Sequence, residues 1–344
     1  MSTPRGRRGL RFFLLVLGVA VLVAVFWKAG WEPVAENLSR VGWWLVVLVA
    51  IYVLPQAAFV EGWRTVLTPR PTSAFVSKLA GAYLAGDAVN YVGASVAGEP
   101  VRALLLRPEY SGASAFASIN LRKHADLAGQ TAFLGLGVLF SLAAFPLPAF
   151  LAAAAVLGAF VVGAGLALMT WGLRRGSYSP ILRRLSRWKA LSGLLSGFHE
   201  GATDVDDGIR RFYRENRRRF AASAGWSFLG WGGGLVETWL ILRLLGVGSG
   251  WGTALAIEAL TMALNTMLLF IPGRLGSAEA IRTGVFVALG LPAAAGAAYA
   301  LVRRAREIVW ILPGAVYLLR RHAGRWLRGG VAEGPPVRGP EASR

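Results

Sequence analysis

The chain has 344 residues, of which 55% are hydrophobic and 16% are charged, and its mean hydropathy is +0.51. An average soluble domain carries about 25% charged residues, so this composition excludes a water-exposed globule and indicates a polytopic membrane protein. Lys and Arg outnumber Asp and Glu by 37 to 18. In a membrane protein this excess indicates a signal for orientation in the membrane and attraction to anionic lipid, rather than binding of nucleic acid.

The apolar runs of the chain predict its membrane spans, because a bilayer core needs about 20 apolar residues per helix. The first run, 12–27, follows four arginines and has no cleavage site for a signal peptide, which predicts an uncleaved helix with a cytoplasmic N-terminus. Further runs are 41–60, about 113–142, 147–172, 221–244, 251–271 and 293–319. Two shorter stretches, about 75–91 and 276–290, are flanked by glycines and charges and are not assigned as full spans.

A basic loop separates two apolar halves. Residues 173–219 hold twelve Lys or Arg against five acids, so the positive-inside rule places them in the cytoplasm, where they can also contact acidic lipid. The predicted organisation is an N-terminal span and first repeat (1–172), a basic cytoplasmic loop (173–220), a second, inverted repeat (221–319) and a disordered cytoplasmic tail (320–344).

Two short patterns recur in the same order and predict an internal duplication. The pattern of Gly, five residues, Glu, two residues and Arg occurs at 93–102 and 273–282, an offset of 180. An arginine followed four residues later by an acid occurs at 122–126 and 303–307, an offset of 181.

The two repeats are predicted to have opposite orientations, because the leading span of the first ends in the cytoplasm and that of the second starts there. Inverted repeats of this kind build many secondary transporters. For both termini to be cytoplasmic, the chain needs about six full spans and two opposed re-entrant helical hairpins in an all-α fold. Helix breaks are expected at the predicted hairpin bends, which are Gly93, Gly98, Pro272, Gly273 and Gly276.

Charged residues inside these apolar segments are the candidate functional residues. A charge at the bilayer centre costs about 2.5–3.5 kcal/mol on insertion scales, so each must face the protein interior, water or another charge. The predicted substrate-binding bases are Arg102, Arg122, Lys123, Arg282, Arg303 and Arg304. The predicted gating or proton-coupling acids are Glu99, Asp126, Glu279 and Glu307.

The alternative is an internal salt-bridge network. Glu99 and Arg102, like Glu279 and Arg282, are three residues apart, and the Arg122–Asp126 and Arg303–Glu307 pairs are four apart. Bases exceed acids in these clusters, so we expect a residual positive pocket that suits a phosphate. Three single acids in apolar runs are weaker candidates for proton coupling or hydrogen bonding: Asp87, Glu237 and Glu258.

No cofactor, metal site or catalytic residue is predicted. The chain has no cysteine, its three histidines lie far apart, and it contains no Gly-x-x-x-x-Gly-Lys-Ser/Thr motif for ATP. Any driving force is therefore expected to be a gradient or mass action.

Four elements together resemble a known family. These are Gly-Glu-x-x-Arg at 98–102, Arg-x-x-x-Asp at 122–126, Pro-Gly-x-x-Gly-x-x-Glu at 272–279 and Leu-x-Arg-x-x-x-Glu at 301–307. They resemble the lysylphosphatidylglycerol synthase transmembrane-region family of flippase-like membrane proteins, over about residues 10–320. The second half looks most like the branch associated with hopanoid biosynthesis.

The resemblance implies movement of lipids or lipid-linked head groups between leaflets of the bacterial inner membrane. Family roles carry over only to Glu99, Arg102, Arg122, Asp126, Glu279, Arg303 and Glu307. Two-domain members continue into an aminoacyl-transferase domain, whereas about 25 residues follow the last span here, so we expect no such synthesis. The rival hypotheses are a membrane-embedded lipid-modifying transferase and a non-catalytic scaffold. Expected partners are membrane lipids, anionic in charge, and lipid-biosynthesis enzymes; the sequence gives no oligomeric state.

Overall fold

The computed structural model describes Trp27 and residues 30–92, 98–106, 109–175, 202–248, 250–267 and 276–326. Several predicted features lie outside these residues: the first predicted span apart from Trp27, most of the basic loop, the last part of the tail, and the predicted hairpin bends Gly93, Pro272 and Gly273. Within them the regular secondary structure is entirely helical, which confirms the all-α prediction.

The part of the chain before the basic loop forms seven helices among the described residues. They are α1 (Trp31–Val41), α2 (Trp44–Ile51), α3 (Val53–Val66), α4 (Val76–Val92), α5 (Gly98–Leu106), α6 (Gly112–Ala144) and α7 (Ala149–Arg175). A 3-10 turn over Ser73–Phe75 precedes α4. We refer to α2–α6 as the first half.

The remaining described residues form the loop helix and the second half. The loop helix is α8 (Ala202–Glu215), and the second half consists of α9 (Arg217–Leu244), α10 (Trp251–Thr266), α11 (Ser277–Ala288) and α12 (Ala293–Trp326). Two predicted bends begin helices: Gly98 opens α5, and Gly276, with a φ of 75° that favours glycine, immediately precedes α11.

Three described segments are long and apolar enough to cross a bilayer: Trp44–Val66, Gly112–Ala144 and Ala149–Leu173. Their outer surfaces carry exposed large side chains, such as Phe150 at 76% exposure and Leu139 at 68%, which indicates contact with lipid. Helices α9 and α12 are longer than 25 residues but carry intramembrane charges. The full count of six spans stays a prediction.

Helix packing follows the proposed duplication. We call the helix pair α4 and α5 the first hairpin and the pair α10 and α11 the second hairpin. The first helix of each hairpin packs against the long final helix of the other half: α4 packs on α12, and α10 packs on α6. The leading spans α3 and α9 pack against each other. Matching elements of the two halves therefore make matching contacts, as expected for an internal repeat.

Two apolar cores flank the polar residues of the protein. One combines α3, α4, α5, the start of α6 and the loop helix α8, around the fully buried Trp63. The other combines the end of α6 with α9–α12, around the fully buried Phe286 and Tyr299. The charged residues that do not fit either core lie between the halves.

The α4–α12 crossing depends on a glycine in α12. A Cβ atom at Gly314 would lie 2.1 Å from the carbonyl oxygen of Leu84 and 2.5 Å from its carbonyl carbon, and backbone atoms cannot move aside as a side chain can. We expect Gly314→Ala to lower the free energy of unfolding by about 1–3 kcal/mol, measured by thermal unfolding of the purified protein in detergent.

Gly284 provides the matched control, because a Cβ atom there meets nothing within 4 Å. Gly284→Ala should be neutral or stabilise by up to about 1 kcal/mol, since Ala favours the helix more than Gly. Equal melting temperatures for the two variants would show that the crossing is looser than described.

Candidate functional site

A single cavity of about 530 Å³ gathers the predicted charges from both halves; we call it the central cavity. Nine of the ten predicted charged residues line it: Glu99, Arg102, Arg122, Lys123, Asp126, Arg282, Arg303, Arg304 and Glu307. The tenth, Glu279, contacts the lining residue Arg304 at 2.6 Å. The structure therefore brings these charges together around one cavity, and their roles stay predictions.

Arg102 is the most buried base of the first half, with 2% of its side chain exposed. Its Nη1 donates to Glu99 Oε1 at 2.7 Å, its Nη2 bonds Asp87, and both Nε and Nη2 donate to the carbonyl oxygen of Tyr83 at 3.3 Å. Small residues allow this packing: a Cβ atom at Gly86 would lie 2.4 Å from Arg102 Nε. The first hairpin thus closes around a fully partnered guanidinium.

Arg122 connects α6 to the first hairpin. Its Nη2 donates to both carboxylate oxygens of Glu99 at 2.9 Å, and its guanidinium lies 5.6 Å from the ring centre of Tyr83. The Arg122–Asp126 pair suggested under the salt-bridge alternative does not form, because Asp126 instead lies 3.5 Å from Lys123 Nζ and accepts from Trp231 Nε1 at 3.0 Å. Arg122 therefore pairs between helices, whereas Asp126 keeps an ion pair along α6 and gains a hydrogen bond from α9.

Arg303 occupies the corresponding place in the second half and bonds two acids. Its Nη1 lies 2.9 Å from Glu237 Oε2 and 2.9 Å from Glu258 Oε1. Glu237, with 1% of its side chain exposed, also accepts from Arg306 Nε at 3.0 Å. Glu258 further accepts from the hydroxyl of Tyr299 at 3.1 Å. The Arg303–Glu307 pair suggested under the same alternative therefore does not form either.

Glu307 and Glu279 pair with other bases than expected. Arg282 Nη2 donates to Glu307 Oε1 at 2.6 Å, whereas Glu279 accepts from Arg304 Nε at 2.6 Å instead of from Arg282. Arg304 also lies 3.2 Å from Glu307 Oε2 and donates to the hydroxyl of Tyr91 at 2.5 Å. Because Tyr91 belongs to α4, Arg304 joins the two halves directly.

The charge of the whole cluster differs from the sequence-based expectation. The bases of the cavity and its ion pairs are Arg102, Arg122, Lys123, Arg282, Arg303, Arg304 and Arg306. The acids are Asp87, Glu99, Asp126, Glu237, Glu258, Glu279 and Glu307. Seven of each give no formal excess, so the prediction of a generally positive pocket is wrong. An anion must be bound by particular donors rather than by net charge.

Sequence reasoning underrated four of these residues, namely Asp87, Glu237, Glu258 and Arg306. The sequence did contain a signal for these residues. An isolated acid in an apolar helix is least costly when it pairs with a base, and this protein has more bases than acids in its apolar segments.

Aromatic side chains complete the wall of the central cavity. Tyr52 is the closest of them to a charge, with its ring centre 3.6 Å from the Arg306 guanidinium. Among the described residues, no group of three His, Asp or Glu is arranged to hold a metal ion.

Comparisons with known proteins match most of the chain to membrane proteins. The sequence profile of the family described as "Lysylphosphatidylglycerol synthase TM region" matches residues 12–314. A UPF0104 membrane protein of Pyrococcus horikoshii is 22% identical over 330 residues, which cover 90% of this chain and 97% of the relative. No solved structure shows a significant match. Assignment to the hopanoid-associated branch stays a prediction.

Proposed function

We propose that this chain, which belongs to the lysylphosphatidylglycerol synthase transmembrane-region family, is a flippase that moves a phosphate-bearing lipid or lipid-linked intermediate between leaflets. The observation that carries the proposal is the central cavity: charged side chains of both halves line one polar space inside helices with apolar outer surfaces. Because intramembrane charges are costly, a cavity that gathers so many of them favours a polar ligand.

The proposed path follows from the contrast between cavity and exterior. The polar head of the lipid occupies the central cavity, where Arg, Lys and carboxylate groups replace its hydration. Its acyl chains stay in the bilayer against the exposed apolar faces of α6 and α7. The crossed packing of each hairpin on the other half supplies two opposed gates for alternating access, as in other inverted-repeat transporters.

The proposed location is the cytoplasmic (inner) membrane, with both termini on the cytoplasmic side. The support is the excess of Lys and Arg in the basic loop and the start of the tail, which the positive-inside rule assigns to the cytoplasm. In the described part of the loop, Arg210, Arg211 and Arg214 are exposed on α8, where they can contact anionic lipid head groups.

The test is lipid scrambling by the purified protein in liposomes that contain head-labelled anionic or zwitterionic lipids, with and without a proton gradient. We expect transport of at least one phosphate-bearing lipid well above that of protein-free liposomes. Absence of transport for every lipid, together with consumption of a soluble donor, would identify the lipid-modifying transferase. Absence of both activities would favour the scaffold for lipid-biosynthesis enzymes.

A further inference from the structure

Arg282 has more guanidinium nitrogens without a hydrogen-bond partner than Arg122 or Arg303. Its side chain is 7% exposed, and its Nη2 donates to Glu307 at 2.6 Å. Its Nε and Nη1 are buried and have no hydrogen-bond partner, whereas Arg122 and Arg303 each have one such nitrogen, Nε. A buried donor without a partner is unfavourable, so two on one guanidinium require an explanation.

The internal repeat gives Arg282 a counterpart that is fully bonded. Its counterpart at the offset of 180 is Arg102, all three of whose nitrogens have acceptors in Glu99, Asp87 and Tyr83. The same offset places Met267 where the first half has Asp87. The second hairpin therefore keeps the arginine but lacks one acid that neutralises it in the first.

Other unsatisfied polar atoms lie on the same hairpin. Thr261 Oγ1 and Asn265 Oδ1 are buried without partners, are one turn apart on α10, and belong to residues that line the central cavity with Arg282. Helix α10 packs against α11, which carries Arg282. Native proteins keep such atoms rare unless a ligand, ion or water satisfies them. These atoms and those of Arg282 thus lie on two helices that pack against each other and line the same cavity.

We propose that Arg282 binds the phosphate of the transported head group, while Thr261 and Asn265 accept hydrogen bonds from a donor group next to that phosphate. This inference rests on the proposed function and makes it more specific. The ligand is a phosphate ester that carries a hydrogen-bond donor. Of the two hairpins, only the second recognises the phosphate. The two free nitrogens are covered in this conformation, so binding requires a shift of α11 relative to its neighbours.

The test compares ligand binding by three full-length proteins in detergent: wild type, Arg282→Gln and the repeat-matched Arg102→Gln. The ligands are inorganic phosphate, dioctanoyl phosphatidylglycerol, whose head carries hydroxyl donors, and dioctanoyl phosphatidylcholine, whose head carries none. We expect Arg282→Gln to weaken binding at least about tenfold with little change in the ligand-free melting temperature, because Glu307 keeps its contact with Arg304 at 3.2 Å. Arg102→Gln should instead lower that melting temperature.

A further variant separates the phosphate from the donor group. Thr261→Val should reduce the preference for the glycerol head over the choline head. If inorganic phosphate binds with the same dependence on Arg282, the subsite recognises phosphate itself; if only lipid binds so, it recognises the head group in its lipid. Either result supports the assignment.

The inference and the proposed function fail separately. Unchanged affinity in Arg282→Gln, with the wild type transporting lipid, would overturn the assignment of Arg282 and leave the flippase intact. A wild type that binds no phosphate compound of any kind would overturn the inference. Absence of lipid transport by a wild-type protein that binds phosphate through Arg282 would instead count against the flippase.

Discussion

Replacement of Glu237 by Ala is expected to lower the free energy of unfolding by about 3–5 kcal/mol. Glu237 is 1% exposed and bonds both Arg303 at 2.9 Å and Arg306 at 3.0 Å. Its loss leaves Arg306 without that bond and Arg303 with Glu258 alone, while both guanidinium groups stay largely buried. The melting temperature of the purified variant in detergent measures the effect, and transport should fall with it.

The control for Glu237→Ala is another acid in an ion pair, at the surface. Glu36 bonds Arg40 at 2.8 Å, but the two side chains are 66% and 50% exposed. Exposed pairs of this kind contribute about 0–1 kcal/mol, so Glu36→Ala should unfold close to the wild type. If both variants unfolded alike, the buried network could not be the feature that holds α9 to α12.

Replacement of Arg122 by Gln is expected to reduce the initial rate of lipid transport at least about tenfold, which corresponds to 1.4 kcal/mol of barrier. Arg122 lines the central cavity and is 5% exposed. The substitution removes a charge from the proposed path, while Glu99 keeps its bond to Arg102 at 2.7 Å, so the first hairpin should stay folded. The scrambling assay, with the melting temperature measured in parallel, reports the two effects separately.

Arg40→Gln serves as the control for Arg122→Gln, because Arg40 lies on α1 and does not line the cavity. It also removes one positive charge from the protein but should leave the rate unchanged. A folded Arg122→Gln protein that transports at the wild-type rate would remove Arg122 from the proposed path.

The location of the charges could be predicted from the sequence, but their partners could not. A charge inside an apolar helix must face the interior, and this rule places Arg122 and Arg303 correctly. Spacing along a helix suggested that they bond Asp126 and Glu307, yet each bonds an acid on another helix. Contacts along a helix contribute only a few tenths of a kcal/mol, so tertiary packing decides the pairing.

The internal repeat predicted which residues occupy equivalent positions in the two halves, but not how their bonding differs. It identified Arg102 and Arg282 as counterparts, and the crossed packing of the hairpins agrees with that relation. Arg102 is bonded by Tyr83 and Asp87 of α4, and neither residue belongs to the recurring motif. A duplicated pattern thus predicts architecture, whereas a binding site depends on where the copies have diverged.

The central claim is that the head group passes through the central cavity, and a single cysteine tests it most directly because the native chain has none. Lys123 lines the cavity, and 46% of its side chain is exposed. The Lys123→Cys variant therefore presents a thiol that a bulky membrane-impermeant reagent can label. The control is Asp207→Cys, at an exposed position on α8. We predict that labelling Lys123→Cys reduces scrambling to the protein-free rate, that transported lipid slows the labelling, and that labelled Asp207→Cys stays active. Undiminished transport by fully labelled Lys123→Cys protein would contradict passage through the cavity.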